Sequence, residues 1–183
     1  PLVSRTARAA EPIRIGLPAA LSGSVAQYGI QAKRACELFG KEINARGGVL
    51  GRPLEFLYED TGGDPATAVR KAQKLVEKDG VKFLTGVVLS SEALAVSAKC
   101  PEWKVLFMST INGVGTQTTQ QFHGDCFRVN TSGPMGARAV SLYLTESPMK
   151  RFYGLGSDYA WGRDSIGSFE GQMATAKKEI VGK

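Results

Sequence analysis

The stretch from Ala19 to Phe56, AALSGSVAQYGIQAKRACELFGKEINARGGVLGRPLEF, decides how the chain folds. It reads as the end of a strand, a polar loop, an amphipathic helix, a glycine turn and a second strand. Ala32, Ala35, Phe39 and Ile43 recur at helical spacing within Gly29–Arg46, so that segment is predicted helical. Gly47, Gly48 and Gly51 supply the positive φ values that a helix end and a tight turn require. The loop Leu21–Gly29 (LSGSVAQYG) offers small residues and backbone donors but no His, Cys, Lys or carboxylate. Such a loop can hold a small polar molecule. It has nothing with which to attack one.

Working outward, the chain alternates strand and helix. Strands are predicted at Ile13–Leu17, Leu54–Tyr58, Val81–Gly86, Val105–Met108 and Cys126–Val129. Asp64 and Pro65 start a helix as N-cap and first helical residue, and Val69, Ala72, Leu75 and Val76 form its apolar face. A third helix follows at Ser91–Lys99. Strands joined by crossover helices imply an α/β fold, a doubly wound parallel sheet covered on both faces. Thr131-Ser132-Gly133-Pro134 interrupts the pattern. Beyond it come a helix at Gly136–Thr145, a strand at Arg151–Leu155 and a polar aromatic loop at Asp158–Gly162. A helix at Asp164–Lys177, with Ile166, Phe169 and Met173 on one face, leads into what reads as one more strand.

A length of 183 residues suits one sizeable domain, or one domain and part of another. The formal charge of +6 would permit a nucleic-acid partner, but the lysines and arginines are scattered. Lys33, Arg34, Lys41, Arg46, Lys71, Lys74 and Lys78 fall on helices away from the apolar faces, as a solvated surface does. No apolar run approaches the roughly 20 residues that cross a bilayer. The three cysteines form no CxxC pair and His123 is the single histidine, so no metal-ligand set or cofactor is expected. Cys36 lies on the first helix's apolar stripe and reads as a buried free thiol.

Enzymatic patterns are missing as well. Gly16-Leu17-Pro18-Ala19-Ala20-Leu21 and Gly154-Leu155-Gly156 do not complete a dinucleotide fingerprint, and there is no P-loop pattern. A Ser-His-Asp arrangement could recruit only His123, which has no nucleophile elbow near it. Glu59 and Asp60 alternate faces in a strand and so do not converge.

Ligands of open parallel sheets sit outside the carboxyl ends of the strands. There the sequence places Ser22, Gly23 and Tyr28, then Asp60, then Ser90 and Ser91, then Ser109, Thr110 and Asn112. Ser90 and Ser91 open a helix, where free N–H groups and the helix dipole favour an anion. A plain serine N-cap is the other reading of the same residues.

These features together resemble the branched-chain amino-acid type of periplasmic solute-binding protein, the receptor of ABC importers. The resemblance covers Ile13 to the end of the chain. It implies a first ligand-binding lobe over residues 13–130 and the start of a second over 131–183, most of the second lobe being absent. Residues 1–12, PLVSRTARAAEP, then read as the tail of an export signal, with Ala7-Arg8-Ala9 as the small-x-small motif, or as a disordered terminus. The segment after about Ser147 is expected to be less stable than the first lobe.

The family match puts Ser90 on the ligand carboxylate, Tyr28 along the cleft and Trp161 in the opposing wall. The loop Ser109–Gly113 (STING) departs from the family pattern, with Ile111, Asn112 and Gly113 where a ligand-binding hydroxyl is expected. Candidate ligand residues are therefore Tyr28, Ser90, Ser91, Ser109, Asn112 and Trp161, and none is catalytic. Some members carry a cystine in this part of the lobe. A Cys100–Cys126 bridge would close a loop of about 25 residues and contribute on the order of 3 kcal/mol; two buried thiols are the alternative. The implied partners are a small amino acid or organic acid and a membrane permease, outside the cytoplasm. A ligand-sensing ectodomain of a signalling receptor is the competing expectation.

Overall fold

The computed structural model describes residues 11–183, so the expected signal remnant lies almost wholly outside the described residues. Five strands form one parallel sheet in the order β2-β1-β3-β4-β5. They are β1 (Ile13–Ala19), β2 (Leu54–Asp60), β3 (Phe83–Gly86), β4 (Leu106–Ser109) and β5 (Cys126–Arg128). Helix α1 (Ala26–Ala45) joins β1 to β2, and α2 (Pro65–Glu77) joins β2 to β3. Helix α3 (Ser90–Ser97) and the short α4 (Cys100–Trp103) join β3 to β4. After β5 come α5 (Gly133–Glu146), β6 (Arg151–Tyr153), α6 (Ala160–Thr175) and β7 (Glu179–Gly182). Strands β6 and β7 pair in parallel as a separate sheet.

The side chains of each strand alternate between two faces, and the two faces fare differently. On one, Leu84, Phe107 and Cys126 are sealed against Ala68, Ala72 and Leu75 of α2 and Ala93 and Val96 of α3. Burying Phe107 completely stabilises the fold by about 1.5–3 kcal/mol. On the other face α1 covers only the β1–β2 side. Phe83 faces Leu106 and Met108 faces Phe127 in neighbouring strands, and all four remain exposed. They line an apolar groove of about 820 Å³ beside Leu38 and Phe39 of α1. Helical spacing thus identified the stripe of α1 correctly, but not its burial: Phe39 is exposed and Cys36 only half-buried.

Local contacts fix the loops. A Cβ built on Gly29 would lie 2.0 Å from the Ala20 carbonyl oxygen, so only glycine lets the first turn of α1 press on the end of β1. Asp60 Oδ1 accepts from the amides of Leu21 (2.8 Å), Gly62 (2.9 Å) and Ser22 (3.2 Å), clipping the β1–α1 loop to the end of β2. Asp64 caps α2 as its sequence requires, accepting from the Thr67 amide at 2.7 Å. In the second segment, Met173 is fully buried, and Phe152 meets Phe169 edge-on at 6.0 Å. The Lys178 ammonium donates to the carbonyls of Leu144 (2.5 Å), Ser147 (2.8 Å) and Met149 (2.9 Å), closing the C-terminal end of α5.

Cys100 and Cys126 share the buried cluster between the sheet and α3, as a bridge would need, yet both are free thiols. Each sulfur is engaged elsewhere: Cys100 Sγ donates to the Val96 carbonyl and Cys126 Sγ accepts from Gln117 Nε2. Burial pushes both thiols up in pKa, Cys100 to about 12, which leaves little thiolate for exchange.

Three outcomes are expected. Alkylating the unfolded, unreduced protein should add a label at each of the three cysteines in the intact mass; a single label would establish the bridge. Replacing Leu106 and Phe127 by Lys should change stability by no more than about 0.5 kcal/mol in denaturant titration. A double variant that unfolds would mean the face is covered after all. Finally, the Ser22 hydroxyl and then the backbone amides hold the Asp60 carboxyl below its usual range. Its contribution is complete above the unfolded Asp value of about 3.9 and is lost as pH falls through the lower folded value. Asp60→Asn should therefore destabilise the protein by about 1 kcal/mol at neutral pH, with the gap closing below about pH 4. Denaturant titrations of both proteins at several pH values measure it.

Candidate functional site

Because all five strands run the same way, the loops after β1, β3, β4 and β5 gather at one edge of the sheet. A cavity of about 480 Å³ opens there, with Tyr28, Ser90 and Asn112 on one side and Tyr159 and Trp161 on the other.

Ser90 is the first residue of α3 and only 1% exposed, and its hydroxyl has no hydrogen-bond partner. The first-turn amides of α3 have no partner within the helix either. The turn aiming Ser90 is backbone-strained: Gly86 has φ 84° and Val87 has φ 63°. For a buried β-branched residue that left-handed conformation costs about 1–2 kcal/mol. The Val87 amide is held by the Pro18 carbonyl at 3.1 Å. Strain of this kind concentrates where a side chain must be pointed at a ligand. Glu92, buried in the first turn of α3, accepts from the Leu89 amide through Oε2 at 2.9 Å.

Asn112 is buried and donates through Nδ2 to Ser109 Oγ at 2.5 Å. Asn130 donates through Nδ2 to the carbonyls of Asn112 (2.7 Å), Thr131 (3.2 Å) and Ile111 (3.3 Å). That one amide ties the loop after β4 to the exit from β5. The carboxamide oxygens of both asparagines are closed to solvent and accept no hydrogen bond.

Trp161 lies in the first turn of α6, which begins four residues earlier than its sequence suggested. A Cβ on Gly113 would come within 2.9 Å of the indole, and one on Gly133 within 3.0 Å of its nitrogen. The ring therefore rests on two glycine backbones, themselves joined by the Gly133 amide donating to the Gly113 carbonyl at 2.7 Å. Asp164 accepts from the Gly115 amide at 2.5 Å and anchors α6 to the same loop. Tyr159 stacks on Trp161, with centroids 6.2 Å apart and planes at 30°. Burial, and then the neighbouring Tyr28, raise the pKa of the Tyr159 phenol.

Four of the six candidates thus converge: Tyr28, Ser90, Asn112 and Trp161. Ser91 lies outside the cavity, and Ser109 is sealed beneath it as the partner of Asn112. Tyr159, Asn130 and Thr131 join the lining without having been singled out from the sequence. Asn130 follows the fifth strand, so the rule that selected Ser90 after the third would have found it.

No Lys, Arg, His, Asp or Glu is among the described residues lining this cavity, which suits it to binding and gives it no acid, base or nucleophile of matched strength. Elsewhere Ser97 Oγ lies 2.9 Å from His123 Nε2, and Asp125 follows two residues on. This is no hydrolytic triad. The Asp125 carboxylate lies 3.9 Å from Nδ1, out of hydrogen-bond reach; the Asp125 backbone amide donates there at 3.3 Å instead, and the serine is itself buried. Among the described residues no group of three or more His, Cys, Asp or Glu could hold a metal ion, and no helix is long and apolar enough to cross a membrane.

Known proteins share this fold. A leucine/isoleucine/valine-binding protein homologue of Brucella melitensis is 35% identical over 135 residues, 74% of this chain and 36% of that protein. A leucine-, isoleucine-, valine-, threonine- and alanine-binding protein of Pseudomonas aeruginosa is 34% identical over 137 residues, 73% of this chain and 36% of its own length. The branched-chain amino acid transporter substrate-binding protein of Streptococcus pneumoniae, solved with isoleucine, superposes with a TM-score of 0.77 at 27% identity, covering 93% of this chain and 48% of that one. A Rhodopseudomonas palustris solute-binding protein, solved with 3,4-dihydroxybenzoic acid, shares the fold at a TM-score of 0.84 and 24% identity, covering 94% of this chain and 46% of its own. The chain spans less than half the length of these proteins. The family model described as periplasmic binding protein matches residues 12–183, and the chain belongs to that family.

Proposed function

We propose that the chain forms one wall, and the beginning of the other, of the ligand cleft of an extracytoplasmic receptor that delivers a small solute to an ABC permease. The solute is an amino acid or a related carboxylate. The observation that carries this reading is Ser90, a buried and unpartnered hydroxyl at the start of a helix, facing a cavity with no charged side chain. Free first-turn amides and the positive end of the helix dipole suit a carboxylate there without a lysine or arginine. The curated relatives named for leucine, isoleucine and valine support the class of ligand. Closure of two lobes about the strands that join them would bury the solute between the walls, in the manner of hinge-closing binding proteins.

One wall supplies only part of the contacts, so this chain by itself should bind with a Kd on the order of 1 mM or weaker. Titrating the isotope-labelled chain with L-leucine and with benzoate should move the amide resonances of Ser90 and Ser91 for at least one of them. Ser90→Ala should remove those shifts, since a hydrogen bond to a charged group contributes about 1.5–3 kcal/mol. Silence of the α3 amides up to the solubility limit of both compounds would overturn the reading. Micromolar affinity would overturn the claim that a single wall binds weakly.

A further inference from the structure

The arginines are scattered along the sequence, yet the fold gathers three of them. Arg128 at the end of β5, Arg138 on α5 and Arg163 on α6 line one pocket of about 410 Å³, bounded by α5, α6 and the loop after β4. Ser132 and Ser168 add hydroxyls, and Asp164 adds a carboxylate. No residue lines both this pocket and the cleft.

Each guanidinium is committed only in part. Arg128 is half-buried, and its Nη1 donates to the Val114 carbonyl at 2.5 Å, which leaves its other N–H groups for the pocket. Burial pulls the Arg128 guanidinium down from the usual arginine range, although Cys126 and Asp164 act the other way. Arg163 pairs with Asp158, but that carboxylate is 94% exposed, and an ion pair so open to water holds its partner weakly. Arg138 is exposed at the pocket's rim. Asp164 is itself engaged, accepting from the Gly115 amide at 2.5 Å. Three lining cations against one lining carboxylate leave a surplus of two positive charges.

The walls that carry these groups are fixed. Asp164 ties α6 to Gly115, and the Gly133 amide donates to the Gly113 carbonyl at 2.7 Å, which sets the start of α5. Ser132 Oγ accepts from the Met135 amide at 3.3 Å and keeps its own proton to donate. Donors from three elements therefore face one space without backbone rearrangement, which lowers the cost of binding.

A carboxylate has two oxygens in one plane and suits a single guanidinium fork. A tetrahedral oxyanion presents oxygens in separate directions, as forks arriving from β5, α5 and α6 require. We infer that this pocket is a binding site separate from the cleft, for a tetrahedral dianion of the sulfate or phosphate class held by Arg128, Arg138 and Arg163. The volume of about 410 Å³ takes such an ion together with bridging waters. This site stands independently of the solute-binding reading above.

The test titrates the isotope-labelled chain with sodium sulfate against sodium chloride at constant ionic strength, reading the arginine Nε–H groups, the Gly115 amide and the α3 amides. Sulfate should move the Arg128 and Arg138 signals and the Gly115 amide saturably, with a Kd on the order of 1 mM, and leave the α3 amides still. Arg138→Gln, at an exposed position, should weaken binding about tenfold. Arg163→Gln should do the same, and it serves as the test if the first variant fails to fold. Arg128 is left intact because it also holds Val114. Shifts that do not saturate, or that chloride reproduces, would reduce the pocket to ionic screening and overturn the inference. Binding unchanged in both variants, or movement confined to the α3 amides, would overturn the location. Acetate binding as tightly as sulfate would overturn the tetrahedral dianion.

Discussion

Parallel pairing is the constraint on which the rest of the molecule depends. Once β1, β3, β4 and β5 run side by side in one direction, their carboxyl ends must share an edge, and whatever follows each strand is delivered to one place. Residues far apart in the chain, Tyr28, Ser90, Asn112 and Asn130, become neighbours without any long-range motif having encoded it. The same pairing obliges each connection to cross over the sheet, by helices in every case but the loop between β4 and β5, and so determines which face is sealed. Helices α2 and α3 close one face around Phe107, while α1 leaves most of the other open.

Within that frame the site is shaped by backbone more than by side chains. Val87 holds a left-handed conformation to turn β3 into α3, Gly29 lets α1 touch the end of β1, and Gly113 with Gly133 make the bed of the indole. Asn130 then secures the loop after β4 by donating to backbone carbonyls rather than to side chains. A cavity fixed in this way can vary the side chains that line it without disturbing the frame that carries them.

Most of the fold was legible because its signals are local and redundant. Apolar runs of β-branched residues marked the strands, and Asp64-Pro65 marked the start of α2 through a cap that the structure contains. The beginnings of α1 and α6 were placed too late, since Val25 and Tyr159 stand at their N-cap positions and make no capping side-chain bond. That error put Trp161 in a loop and hid its neighbour Tyr159. The four-residue α4 was too short to show a period. Periodicity also says which side of a helix is apolar and not what lies against it, which is why the stripe of Phe39 and Cys36 was expected to be buried. At the site, the position of Ser90 followed from the carboxyl-end rule alone, whereas the seat of the indole depends on two glycines whose meeting only the folded chain reveals.

The ammonium of Lys178 has one further consequence. Its partners are the carbonyl groups of Leu144, Ser147 and Met149, with the Phe152 ring 5.7 Å away, and no carboxylate is among them. An attraction between two exposed ions fades as electrolyte is added, because mobile counterions gather around both. A cation held at short range by fixed dipoles at the end of a helix has no counter-ion to be shielded, and the one charge that acts on it, that of Lys150, repels it. Electrolyte therefore has nothing to weaken in the clamp joining α5 to the start of β7, and only the repulsion from Lys150 to screen.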